Sequence, residues 1–266
     1  MKFGSNSPIG IFDSGVGGLT VLREIERVLP NESVVYLGDT ARTPYGTRSA
    51  ERIRKLSEEN IKFLCSFGVK LVVVACNTSS SVALDYLLER FEIPIFGVVK
   101  PGARFASSLT RNGKIGVVGT EATINSSSYQ RALLEIHPGL QIFPKACPLF
   151  VPLAEEGFTE GEIPFLVAYY YLGEIKEKGV DVLLLGCTHY PILIEPIRRV
   201  MGEGVIIVDS GNSVALEVKS YLESQALLNT GKREETFFVT DAPERFKRIG
   251  ERFLSRTINE VKIANI

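Results

Sequence analysis

The sequence predicts an α/β fold of two similar lobes, each a parallel sheet flanked by helices, with an active site in the interlobe cleft. Three observations carry that expectation. Short apolar runs alternate with amphipathic segments of helical length along all 266 residues, the pattern of parallel strands joined by crossover helices. Two of these runs end in versions of one phrase, LVVVACNT at 71–78 and VLLLGCTHYP at 182–191: an apolar stretch, a small residue, a cysteine, then hydroxyl and amide groups. The pattern also restarts, with Gly10 and Gly116 lying 106 residues apart and Cys76 and Cys187 lying 111 apart.

In chain order, 9–12 reads as a strand, followed by Asp13-Ser14-Gly15-Val16-Gly17-Gly18 and a helix whose Leu19, Leu22, Ile25 and Val28 recur every third residue. Pro30-Asn31 stops that helix. A strand at 34–37 ends in Gly38-Asp39-Thr40, and the polar segment 41–46 carries the Pro44 and Gly46 of a turn. A long helix at 49–67 delivers the chain to the strand before Cys76; a helix at 79–90 and a strand at 95–98 complete the first lobe. The second begins with a strand at 114–118 ending in Gly119-Thr120, then a helix at 123–135 and a strand at 141–143. The segment 147–157, CPLFVPLAEEG, reads as a proline-rich loop, and a helix at 161–178 leads to the strand before Cys187. Helices at 191–200 and 213–223 flank a strand at 205–208, and a strand at 236–239 and a helix at 243–253 close the chain. The lobes are expected to join near Lys100 and Pro101, with 1–99 forming the first, 100–211 the second, and 212–266 returning to the first.

Composition narrows the function. Apolar residues make up 45% and charged residues 23%, ordinary values for a globular chain. Thirty basic against thirty-one acidic residues leave a net charge of −1, which argues for neither nucleic acid nor anionic membrane as partner. No apolar run approaches the ~20 residues of a membrane span, and MKFGSNSP holds no apolar signal core, so a cytoplasmic protein is expected. Cys65, Cys76, Cys147 and Cys187 form no CxxC pair and are expected as free thiols. With His137 and His189 the only histidines, no metal site is expected.

The residues after an apolar strand sit at its carboxyl end, where open α/β sheets bind ligands, so Cys76 and Cys187 are the candidate chemical groups. Cys65 on a helix, and Cys147, read as inert core. His189, two residues beyond Cys187, is a candidate tuner of that thiol, and Asp13 is the nearest group for the same role beside Cys76. The glycine-rich turn does not complete a dinucleotide fingerprint, because Thr20 stands where Gly or Ala is required; it reads instead as a close backbone approach to a small anionic ligand. Of Glu155 and Glu156, flanking apolar residues suggest that at least one is held in place, while Arg42 and Lys145 read equally as surface charges or anion partners.

GIFDSGVGGLTV, YLGDTARTPYG, VVVACNT, CPLFVPLAEEG and LLLGCTHYP, in that order over about 180 residues, resemble the glutamate racemases, cofactor-independent amino-acid racemases of bacterial cell-wall synthesis. The resemblance implies that Cys76 and Cys187 are the two catalytic thiols, with Asp13, His189 and Glu155 beside them. It also implies that Asp13, Ser14, Tyr45, Gly46, Asn77, Thr78, Thr120, Thr188 and His189 hold the substrate. It implies glutamate as the small-molecule substrate, no cofactor and a homodimer. Related aspartate racemases carry an acidic residue where this chain has His189. Inverting a stereocentre by proton transfer needs a base on each face of the α-carbon, which two thiols with reference pKa near 8.5 can supply. An aspartate or hydantoin racemase of the same architecture, a two-lobed amino-acid-binding module and a cysteine-nucleophile hydrolase are the competing readings.

Overall fold

The computed structural model describes residues 4–266; residues 1–3, the beginning of the stretch read for a signal core, lie outside the described residues. The first lobe opens with β1 (Ile9–Asp13), α1 (Leu19–Val28), β2 (Val34–Gly38), α2 (Ala50–Cys65), β3 (Leu71–Val74), α3 (Asn77–Val82), α4 (Leu84–Leu88) and β4 (Ile95–Gly97). The second follows with α5 (Val99–Leu109), β5 (Lys114–Gly119), α6 (Glu121–Asn125), α7 (Ser128–Ile136), β6 (Gln141–Ala146), α8 (Phe150–Glu156), α9 (Glu162–Glu177), β7 (Val182–Gly186), α10 (Ile194–Met201) and β8 (Ile206–Asp209). The chain ends with α11 (Gly211–Ser224), β9 (Glu235–Val239), α12 (Pro243–Leu254) and β10 (Val261–Ile263).

The doubling seen in the sequence extends to topology. One sheet runs β10-β9-β2-β1-β3-β4 and the other β6-β5-β7-β8, all parallel. Each therefore repeats the order second, first, third, fourth, and in each the cysteine strand lies beside the lobe's first strand. That junction is where the winding direction reverses, the place such sheets reserve for ligands. β9 pairs along β2 with Phe237 opposite Tyr36, so the end of the chain joins the first sheet.

Burial fixes the cysteine strands. Every residue of β1, β3 and β7 is buried, and each large apolar side chain so placed contributes roughly 1.5–3 kcal/mol. A register slip would sacrifice several at once, so the strand ends are pinned more firmly than the loops beyond them.

Four segments differ from the sequence reading, and prolines explain two. The 147–157 segment is not a loop: α8 carries Pro152 in its first turn, where the missing N–H would have had no helical partner, and it ends at Gly157 with φ of 84°. The expected junction at Lys100 and Pro101 lies inside α5, again with proline in the first turn. The helix placed at 79–90 begins at Asn77, directly after Cys76, and is interrupted at Ala83. Its start was obscured by the run Asn77-Thr78-Ser79-Ser80-Ser81, whose side chains compete for backbone groups; Ser80 Oγ instead donates to Val74 O at 2.8 Å and accepts from Val98 N at 3.1 Å, tying helix to sheet. β10 carries no strong strand signal in sequence.

Candidate active site

Both cysteines stand just past a buried strand, Cys76 two residues beyond β3 and Cys187 one beyond β7. Cys76 is the residue before α3, its sulfur 3.8 Å from Ser14 Oγ. Cys187 follows β7, its sulfur 3.9 Å from His189 Nδ1. The two thiols line one cavity of about 30 Å³ between the lobes. From the first lobe Ser14, Tyr45, Gly46, Asn77 and Thr78 line it, and from the second Thr120, Thr188 and His189. Thr43, Pro44 and Val151 complete the wall, and none of these three is a candidate site residue from sequence. A larger cavity of about 450 Å³ at Arg48, Arg54 and Arg131 also lies between the lobes but holds neither cysteine turn.

Polar contacts close the lobes around this cavity. Thr188 Oγ1 donates to Asp13 Oδ2 at 3.2 Å, and Thr20 Oγ1 donates to Thr188 O at 3.0 Å. Thr78 and Thr120 share a hydrogen bond of 2.9 Å between their hydroxyls. The glycine-rich turn serves this approach: a Cβ on Gly17 would lie 2.5 Å from His189 Nδ1 and closer still to Thr188 Oγ1. At Gly17 the missing side chain makes room for the opposite lobe.

Asp13 and Glu155 do not line the cavity; they stand behind it. Asp13, fully buried, accepts from Gly15 N at 2.9 Å as well as from Thr188. Burial pushes its carboxyl up, against the pull of His189 and of the Gly15 and Gly18 N–H groups. Glu155, presented by α8, lies 3.1 Å from His189 Nε2 through Oε1 and 3.3 Å from Arg245 through Oε2. Burial opposes its charge, but His189 and Arg245 hold it below the usual carboxylate range. Glu156 is exposed and pairs with Arg245.

The two thiols thus face different electrostatics. Burial, reinforced by the Asp13 charge, pushes Cys76 up to about 12, so it stands as a neutral thiol at pH 7. Burial would lower His189, yet Cys187, Glu155 and Asp13 outweigh it and hold the imidazole up to about 10. As an imidazolium both ring nitrogens donate, one to Glu155 and one toward the Cys187 sulfur. Cys147 is buried core, and burial pushes its thiol up; Cys65 ends α2. Arg42 pairs with Asp39 and Glu59 within its own lobe, and Lys145 with Glu174 on the surface. Among the described residues no group of three or more His, Cys, Asp or Glu side chains is arranged to hold a metal ion, and no helix is long and apolar enough to cross a membrane.

The whole chain is similar to known proteins. The family model described as Asp/Glu/Hydantoin racemase matches residues 9–218. A glutamate racemase of Geobacter metallireducens is 49% identical over 95% of this chain and 94% of its own. Among solved structures, glutamate racemase isoform RacE1 of Bacillus anthracis superposes with a TM-score of 0.95 at 39% identity, covering 98% of both chains. The Francisella tularensis glutamate racemase, solved with D-glutamate, gives 0.92 at 40% identity, also covering 98% of both. The chain belongs to the Asp/Glu/Hydantoin racemase family and, within it, to the glutamate racemases, which are isomerases.

Proposed function

We propose that the protein interconverts L- and D-glutamate by proton exchange at the α-carbon, with Cys76 and Cys187 as the two bases, and so supplies D-glutamate for peptidoglycan in the cytoplasm. One observation carries the reading: two cysteine turns, one from each lobe, face a single cavity. With L-glutamate bound between them, Cys187 removes the α-proton and the Cys76 thiol returns a proton to the opposite face. The protonated resting state of Cys76 suits it as the donor in this direction. In reverse, Cys76 must first lose its proton, and Asp13, raised by burial, is the neighbouring acceptor. The hydroxyls of Ser14, Thr78, Thr120 and Thr188 and the Asn77 amide are the neutral donors for the substrate carboxylates and for charge developing at the α-carbon.

The cavity holds about one or two water-sized groups, so the lobes, 1–99 with 212–266 and 100–211, must part to admit glutamate. Exhaustive dialysis against chelator, without pyridoxal phosphate, should leave racemisation intact, with solvent deuterium entering the α-position. Activity restored only by a metal or by pyridoxal phosphate would overturn the two-thiol mechanism.

Glu155 gives a pH test. His189 is raised from 6.5 to about 10, so the stability its charge contributes is fully present below about pH 6.5 and is lost as pH rises through about 10. Glu155→Gln removes one of its supports. The alkaline limb of kcat/KM should then move to lower pH, and a limb that stays in place would remove Glu155 from this role.

A homodimer forms part of the proposal, supported by α9, which exposes Ile163 (56%), Leu166 (60%), Tyr169 (61%) and Tyr170 (77%). Sedimentation velocity at micromolar concentration checks it, and a monomer there would refute the dimer.

A further inference from the structure

One fully buried side chain outside the motifs touches both cysteine turns. Tyr129, on α7 of the second lobe, donates its hydroxyl to Asn77 Oδ1 at 2.5 Å, and Asn77 is the residue immediately after Cys76. Its ring lies against Gly186, immediately before Cys187, where an added Cβ would sit 3.0 Å from Tyr129 Cε2. In the structure the hydroxyl donates to the amide oxygen, and that pairing turns the Asn77 amide nitrogen away from Tyr129. The amide nitrogen of Asn77 has no protein partner among the described residues, and Asn77 lines the cavity.

We propose that Tyr129 is a positioning residue that fixes the Asn77 amide so that its nitrogen, rather than its oxygen, faces a carboxylate of the substrate. The bond crosses between the lobes, so the amide takes this orientation only when they are closed, and binding of the carboxylate is thereby linked to closure. A carboxylate accepts hydrogen bonds and donates none, so a flipped amide would set oxygen against oxygen. Burial pushes the Tyr129 phenol above its ordinary value, which keeps the hydroxyl a donor across the working range.

The inference rests on the glutamate racemase reading, which wild-type racemisation in the same assay establishes separately. Tyr129→Phe should raise KM for both enantiomers alike by about 3- to 10-fold, the worth of one neutral hydrogen bond, with kcat within about twofold. In an Asn77→Ala background the same change should move KM by less than about twofold, because Tyr129 acts through Asn77. Asn77→Asp, which keeps an acceptor for Tyr129 but turns a carboxylate toward the substrate, should raise KM more than Asn77→Ala does. An unchanged KM in Tyr129→Phe, an equal rise in both backgrounds, or an Asn77→Asp variant with wild-type KM would each overturn the proposal.

Discussion

Cys76→Ser and Cys187→Ser should each abolish racemisation, by several powers of ten, while leaving different halves of the proton exchange impaired. Serine fits either site, since both cysteines are almost fully buried and the change alters little but the atom at the end. Its hydroxyl is a far poorer base at neutral pH than a thiol. The two turns come from different lobes, and on the proposed mechanism they reach the α-carbon from opposite sides, so neither thiol can stand in for the other. A group needed only in the transition state lowers kcat and kcat/KM together. The family resemblance assigns Cys76 to the α-proton of D-glutamate and Cys187 to that of L-glutamate. Cys76→Ser should therefore first lose proton removal from the D enantiomer, and Cys187→Ser from the L enantiomer. Each enantiomer labelled at the α-position, followed for label loss in both variants, gives the answer. Full activity in either variant would refute the two-base mechanism, and the reverse asymmetry would refute only the assignment of faces.

The parts of this site that are legible in the sequence are those that local chemistry dictates. The strands before Cys76 and Cys187 are apolar because both faces of a parallel sheet are buried, and the turn after such a strand is where side chains of another kind appear. That is enough to find the cysteines, their neighbours and the repeat of the two lobes. Proline is ambiguous in sequence for a physical reason: Pro101 and Pro152 would break a helix interior but are tolerated in a first turn, and spacing alone does not tell the two apart. The difference bears on the site, because α8 is what aims Glu155 at His189. Tyr129 was illegible for a different reason. It lies on the apolar face of an ordinary amphipathic helix, and only the closed arrangement of the lobes brings its hydroxyl to Asn77. Gly17 likewise reads in sequence only as part of a turn that lets backbone come close to a ligand, and the packing of Thr188 and His189 against it is visible only in the fold.

His189→Asn should lower kcat by about 10²-fold or more, the scale of a positioned acid–base group, with a smaller change in KM. The imidazolium lies between Glu155 and the Cys187 sulfur, at 3.1 Å and 3.9 Å. It can donate to a thiolate as it forms and hold the charge of the site balanced while the α-proton is on the thiol. Asparagine keeps a polar group of similar reach but carries no charge and cannot titrate. The loss should therefore fall on turnover in both directions, since Cys187 takes the proton in one and returns it in the other. With the ring held up to about 10, wild type should show an alkaline limb there, and the variant's profile should lack it. Steady-state kinetics with each enantiomer across pH measures both effects. A variant with wild-type kcat and only a raised KM would mark His189 as a group that grips the substrate and takes no part in moving its proton.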